Sequence, residues 1–215
     1  MSTAFVKKKC YLSNHAAHTQ LVKAAEARVQ YSKPRPRSPA WNMEKRPANR
    51  FDDVAVVPAA PEQEPVLANL LELYAYDFSE FRDIEIGPDG RFGYRRLPLY
   101  WSEAGRHPFL VKVNEKLAGL ILVKRGSEIS GDANPWDMAE FFILRGYRKR
   151  GIGTQAAHRV WKQFTGPWEV RVMESNSQAL RFWENAISKF TGEAILPTRL
   201  ERGTEWWRLF SFESK

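Results

Sequence analysis

Met138-AEFFILRGYRKRGIG-Thr154 runs from an apolar stretch through a basic, glycine-containing turn into the start of a helix, and its reading decides the fold. Phe141, Phe142, Ile143 and Leu144 are aromatic or aliphatic and few in number, as in a buried strand. Beyond the turn, Ile152, Ala156, Ala157, Val160, Trp161 and Phe164 recur on one helical face, and Gly166-Pro167 ends it. A strand that enters a helix through Gly151-x-Gly153 presents several backbone N–H groups at the positive end of the helix dipole. Such an arrangement cradles a pyrophosphate.

Several nucleotide templates compete for this turn. Gly151-x-Gly153-x-x-Ala156 fits a loose dinucleotide fingerprint, with Glu174 near the place of a ribose-binding acid. That fingerprint opens its domain, however, and the chain left after Glu174 is too short for the remaining βαβ units. A P-loop is excluded, because no Gly-Lys-Ser/Thr is present. The third template is (Gln/Arg)-x-x-Gly-x-(Gly/Ala), read here as Arg148-Lys149-Arg150-Gly151-Ile152-Gly153. It resembles the coenzyme A loop of the GNAT N-acetyltransferase superfamily.

The surroundings carry the same resemblance. His107–Val113 and Leu117–Lys124 flank an Asn114-Glu115-Lys116 turn and read as a hairpin. Trp168–Glu174 reads as a strand and Thr204–Phe212 as a closing one, after a first strand at Val54–Val57. Between them, the helix Ser177–Ile187 opens with Asn176-x-x-Ala179-x-x-Phe182-Trp183, similar to the superfamily's Asn-x-x-Ala-x-x-Phe-Tyr segment. The order and spacing match the GNAT core from about Asp53 to Ser214, and LLELYAYDFSEF with WDMAEFFILR resembles a bacterial branch of it. The resemblance implies an α/β (α+β) three-layer fold. Its central sheet is mixed and mostly antiparallel, with six to seven strands, helices on both faces, and strands splayed at the cofactor site. It divides the chain into a basic extension, residues 1–50, and an acetyltransferase domain, residues 51–215.

What the resemblance implies chemically is acetyl-CoA as co-substrate and an unidentified amine as acceptor. The loop Arg148, Lys149, Arg150, Gly151, Ile152, Gly153 and Thr154 would hold the diphosphate, and a bulky residue at Gly153 would block the approach. Ile143 or Leu144 would supply a backbone N–H to the oxyanion. Asn176, Ala179 and Trp183 would meet the cofactor arm, and Asn176 equally suits a helix N-cap. An alkyl amine with a pKa of about 10.4 is protonated at neutral pH, so transfer requires a base. Glu140 stands where many members carry their catalytic glutamate, among apolar residues that would raise its pKa. The alternative is a structural glutamate paired with an arginine across the sheet. Trp183 replaces the tyrosine that often protonates the leaving thiolate, and indole is no practical proton donor. The thiolate then leaves unaided, or Tyr100 or Tyr147 serves. The acceptor site falls in Glu62–Trp101, where Tyr76, Asp77 and Tyr100, with Glu80, Asp83 and Glu85 nearby, suggest a pocket for a cationic amine. These aromatics suit core packing as well.

Composition restricts the setting. With 215 residues, 43% hydrophobic, the chain has enough to form one domain with an extension. A single cysteine forms no intramolecular disulfide, in keeping with a reducing, cytoplasmic compartment. No apolar run approaches the roughly 18 residues of a membrane span, so no membrane partner is expected, and no signal-peptide core follows Met1. A homodimer is compatible with these features. Residues 1–50 hold 11 Lys/Arg and 2 Asp/Glu, a net of +9, whereas the remainder nets −1. Within the extension, Leu21, Val22, Ala25 and Val29 fall at helical spacing in Ser13–Tyr31, and Lys33–Arg50 is basic and proline-broken. It reads as a solvated tail, a contact for nucleic acid or another acidic partner, or a targeting segment. A non-catalytic GNAT-like module that binds nucleic acid through this tail is the alternative function. Cys10, His15 and His18 lack a fourth ligand, so no metal site is expected.

Overall fold

The computed structural model describes residues 53–215. The expected helix in Ser13–Tyr31, the Lys33–Arg50 stretch, Cys10, His15, His18 and the boundary at residue 50 lie outside the described residues. The elements are β1 (Val54–Pro58), α1 (Glu64–Phe78), α2 (Leu99–Ser102), β2 (Arg106–Val113), β3 (Lys116–Arg125), β4 (Trp136–Ile143), α3 (Ile152–Trp161), β5 (Gly166–Met173), α4 (Ser177–Thr191), β6 (Thr198–Arg202) and β7 (Glu205–Ser214). They build one seven-stranded sheet in the order β1-β2-β3-β4-β5-β7-β6. Every neighbouring pair is antiparallel except β4 and β5. The fold is the expected three-layer α/β arrangement.

Each face of the sheet has its own core. On one, Ile152, Ala157, Val160 and Trp161 of α3 and Trp183 and Ile187 of α4 cover Val123, Met138, Val170 and Phe210. On the other, Leu67, Leu70 and Leu71 of α1 pack with Leu97 and Tyr100 on Leu110, Leu120 and Phe142. The hairpin β2–β3 closes through Asn114 and Glu115, both left-handed at φ 49° and 61°, as a two-residue turn of this twist requires. The last helix runs beyond the expected Ile187 to Thr191 and stops at Gly192, whose φ is 81°. The expected closing strand pairs with β6, which the sequence reading did not contain.

Two irregularities of β4 create the site. The first is a bulge: Leu122 of β3 faces Glu140 and Val123 faces Met138, so Ala139 is an extra residue. Trp136 and Met138 therefore pack with Phe141 and Ile143 under α3 and α4, while Ala139 and Phe142 belong to the core under α1. The second is a splay. β4 and β5 pair only at Trp136↔Trp168 and Asp137↔Glu169 and then part.

The β3–β4 contact is tight where the splay opens. A Cβ on Gly119 would lie 2.1 Å from the Phe142 carbonyl oxygen and 3.1 Å from Ile143 Cα, both backbone atoms. Gly119→Ala is expected to cost about 1–3 kcal/mol or more, which lowers Tm by roughly 2–4 °C per kcal/mol in a protein of this size. A thermal melt identical to that of the parent would show that the strands have slack.

Candidate active site

Glu140 takes its surroundings from the bulge. It is half-buried and turns toward α1. There the Tyr94 hydroxyl donates to Oε1 at 3.0 Å, and Tyr74 lies near enough to influence the same carboxyl. Burial raises the Glu140 pKa, against the pull of Arg171 and of the two hydroxyls. Arg171 on β5 makes its hydrogen bonds elsewhere, with Asp137 Oδ2 and, at 2.9 Å, the Ala139 carbonyl. Glu140 is thus held by the Tyr94 hydroxyl rather than by an arginine across the sheet, and it borders a cavity of about 420 Å³.

A larger cavity, about 780 Å³, lies along the glycine loop. Of the expected cofactor residues, Ile143, Arg148, Lys149, Gly151, Gly153, Thr154, Asn176, Ala179 and Trp183 line it. Leu144, Arg150 and Ile152 do not, and the Ile152 side chain is fully buried in the core. Gly151 caps α3 with φ 76°, and Gln155 N–H to Gly151 O is the first bond of that helix. The preceding amides of Ile152, Gly153 and Thr154 thus have no acceptor within it. A Cβ on Gly153 would approach the Phe182 ring at 3.1 Å, so this glycine serves packing as well as access.

Three details depart from the sequence reading. The Arg148 guanidinium is engaged, through Nε to the Ile143 carbonyl at 2.6 Å and through Nη2 to Asp77. Arg145 reaches the same carboxylate at 2.7 Å. Partial burial would raise the Asp77 pKa, but hydrogen bonds from Arg148 and Arg145 hold it below the usual range. Asp77 therefore ties α1 to the loop and is not free to bind a cation. Second, the Leu144 N–H is spent on Ala118 O at 2.8 Å. Strand alternation then puts the Ile143 N–H on the side away from β3, facing the splay. Third, Tyr76 is exposed and lines neither cavity, while Tyr147 is buried in the core under α3 and also lines neither. Tyr100 does border the Glu140 cavity, its pKa raised by burial and by the Glu140 charge.

Asn176 accepts a hydrogen bond from Ala179 N at 2.9 Å, the helix-capping role, and also lines both cavities. Tyr74, Phe78, Phe141, Ala179 and Trp183 line both as well, so the two spaces meet at the splay. Tyr74 and Tyr94 belong to the aromatic-rich Glu62–Trp101 segment, but the sequence did not single them out. The aromatic run around them pointed to core or pocket without distinguishing its members.

This arrangement of splayed strands, glycine loop and flanking helices is matched in known proteins. Residues 68–186 match the acetyltransferase (GNAT) family. The chain belongs to that family. As a GNAT acetyltransferase it is acyl-CoA-dependent, with acetyl-CoA as co-substrate. An acetyltransferase from Thermus thermophilus superposes with a TM-score of 0.54 at 17% identity, over 74% of this chain and 96% of its own. Spermidine N-acetyltransferase from Vibrio cholerae, in complex with CoA and spermine, gives 0.51 at 14% identity, over 75% and 95%. yncA from Salmonella typhimurium, with its cofactor acetyl-CoA, gives 0.51 at 10% identity, over 75% and 94%. No match was found among the curated proteins. The competing dinucleotide reading also fails on geometry, because the Glu174 carboxylate bridges Arg199 at 2.8 Å and Arg208 at 2.6 Å. Among the described residues no helix is long and apolar enough to cross a membrane, and no cluster of His, Cys, Asp or Glu could hold a metal ion.

Proposed function

We propose that this GNAT protein transfers the acetyl group of acetyl-CoA to a primary amine that enters the Glu140 cavity, within a catalytic domain of residues 51–215. The observation that carries the reading is the meeting of the two cavities at the β4–β5 splay, with Glu140 on one side and the glycine loop on the other. In this reading the α3 amides and Lys149 hold the diphosphate. Asp77 keeps Arg145 and Arg148 in place behind them. The open β4 edge, with Phe141 and Trp183, would hold the pantetheine arm, and the bound cofactor would supply the acetyl thioester. Glu140 accepts the proton of the amine, directly or through water, as nitrogen attacks the thioester carbon. The Ile143 N–H faces the side on which the oxyanion develops. On collapse, the C–S bond breaks and the thiolate takes a proton. Tyr74, beside Glu140 and lining both spaces, gives the proton on Glu140 a path to sulfur.

Cofactor placement is tested by calorimetric titration with coenzyme A. Gly153→Val puts a branched side chain against the Phe182 ring and into the loop cavity, and binding should weaken by tenfold or more. Parent-like affinity would remove the loop from the site. The alternative of a nucleic-acid-binding module leans on residues 1–50, which lie outside the described residues. As an addition to the enzyme, their net charge of +9 supplies a handle for a polyanion. A salt titration of polyanion binding, with and without those residues, measures it.

A further inference from the structure

The wall of the Glu140 cavity has a chemistry that neither the fold nor the loop dictates. Five cationic side chains line it: Arg82, Arg96, Arg106, Lys124 and Arg171. Only two carboxylates line it with them, Glu128 and Glu140, and both are already engaged. Glu128 receives Lys124 at 2.7 Å and also Arg96. Glu140 accepts from the Tyr94 hydroxyl, with Tyr74 close by. The acids expected to hold a cationic amine are elsewhere. Asp77 and Glu80 border the loop cavity, and Asp83 and Glu85 border neither.

The cations keep donors to spare. Arg82 meets Glu205 through Nε at 2.8 Å, which leaves both terminal nitrogens for a ligand. Arg96 uses Nη1 on Glu128, which leaves its other nitrogens. Trp207 also lines this cavity, and its indole N–H is buried without a partner. A cavity walled by donors lacks only something that accepts. The other arginines are committed, Arg106 to Glu103 at 2.6 Å and Arg171 to Asp137. Partial burial pushes the Glu128 carboxyl up, yet Lys124, Arg96 and Arg171 hold it down at about 2.

Resting on the acetyl-transfer reading above, we propose that the acceptor is a small amine bearing an anionic group, which Arg82 and Arg96 bind while the amine faces Glu140. A polycation would meet like charge on this wall, whereas a carboxylate or phosphate meets guanidinium forks suited to bidentate contact. The cavity volume of about 420 Å³ suits a ligand of small-molecule size.

The test is thiol release from acetyl-CoA with matched acceptors. α-Amino acids are paired with their amides and with the decarboxylated amines, phosphoethanolamine is paired with ethanolamine, and spermidine is the polycation. The anionic member of a pair should exceed its neutral partner in kcat/KM by tenfold or more, mainly through KM, and the advantage should shrink with added salt. Whether the amino acids or phosphoethanolamine lead decides between carboxylate and phosphate. Arg82→Gln and Arg96→Gln alter exposed side chains, so the fold should persist, and the ratio within a pair should fall toward one. Equal use of both members of every pair, or preference for spermidine, overturns the proposal while leaving acetyl transfer intact. If no amine is acetylated although coenzyme A binds, the transfer reading fails, and the proposal falls with it.

Discussion

Glu140→Gln should lower kcat for acetyl transfer by about 10²–10⁴-fold, the usual contribution of a positioned general base. Coenzyme A affinity should stay close to that of the parent, because Glu140 borders the smaller cavity and not the loop cavity. A loss confined to turnover is the signature of an interaction used in the transition state. The pH profile adds an independent check. Burial raises the Glu140 pKa, so the rising limb of kcat/KM should lie above the range of an ordinary carboxylate. Tyr94 donates to the ionised form and so holds that pKa down. Tyr94→Phe removes the donor and should move the limb further toward alkaline pH, the direction opposite to loss of a proton donor. Parent-like turnover of Glu140→Gln on a verified acceptor would take this residue out of the mechanism.

The second large effect is expected at a position with no contact to substrate. Asp137 is 1% exposed and binds Arg171, with Lys124 at 3.9 Å on the same oxygen. Burial pushes its carboxyl up, and the two cations pull against that. Asp137→Ala would strand a largely buried guanidinium and loosen the ammonium beside it. Breaking one side of a buried pair costs about 3–5 kcal/mol, enough to bring a protein of ordinary stability near unfolding at assay temperature. Denaturant titration reads this as a drop in midpoint. A midpoint within error of the parent would mean that Arg171 finds another partner, and Glu140, the nearest alternative charge, would then lose activity instead.

The sequence was most legible where local chemistry repeats. Alternation, turn residues and a helical stripe reveal β2, β3, β4, α3 and the glycine loop, because each signal lies within a few residues of the structure it specifies. β6 gave no such signal. Its residues Thr198–Arg202 are mostly exposed at the sheet edge, so no apolar face marks them as a strand. The Asp77 tie joins residues 68 and 71 positions apart, and the Tyr94–Glu140 bond spans 46, pairings that exist only once the sheet has formed. The lining of the Glu140 cavity was hidden for the same reason. Proximity in sequence placed Asp77 and Glu80 beside the tyrosines, while the fold turned Arg82, Arg96 and Arg106 into the cavity instead.

The extra residue in β4 makes this enzyme sensitive to counting rather than to chemistry. Ala139 contributes one methyl group and a carbonyl, and many small side chains would serve there. Without it the ladder becomes regular, Met138 still faces Val123, Glu140 still faces Leu122, and every side chain keeps its face. Deleting any other residue of the strand, or inserting one, turns one flank over and carries its side chains to the wrong core. An insertion–deletion scan of Trp136–Ile143 should therefore kill activity at sites where an alanine scan finds little, with the mildest effect at Ala139, and its map would trace the bulge.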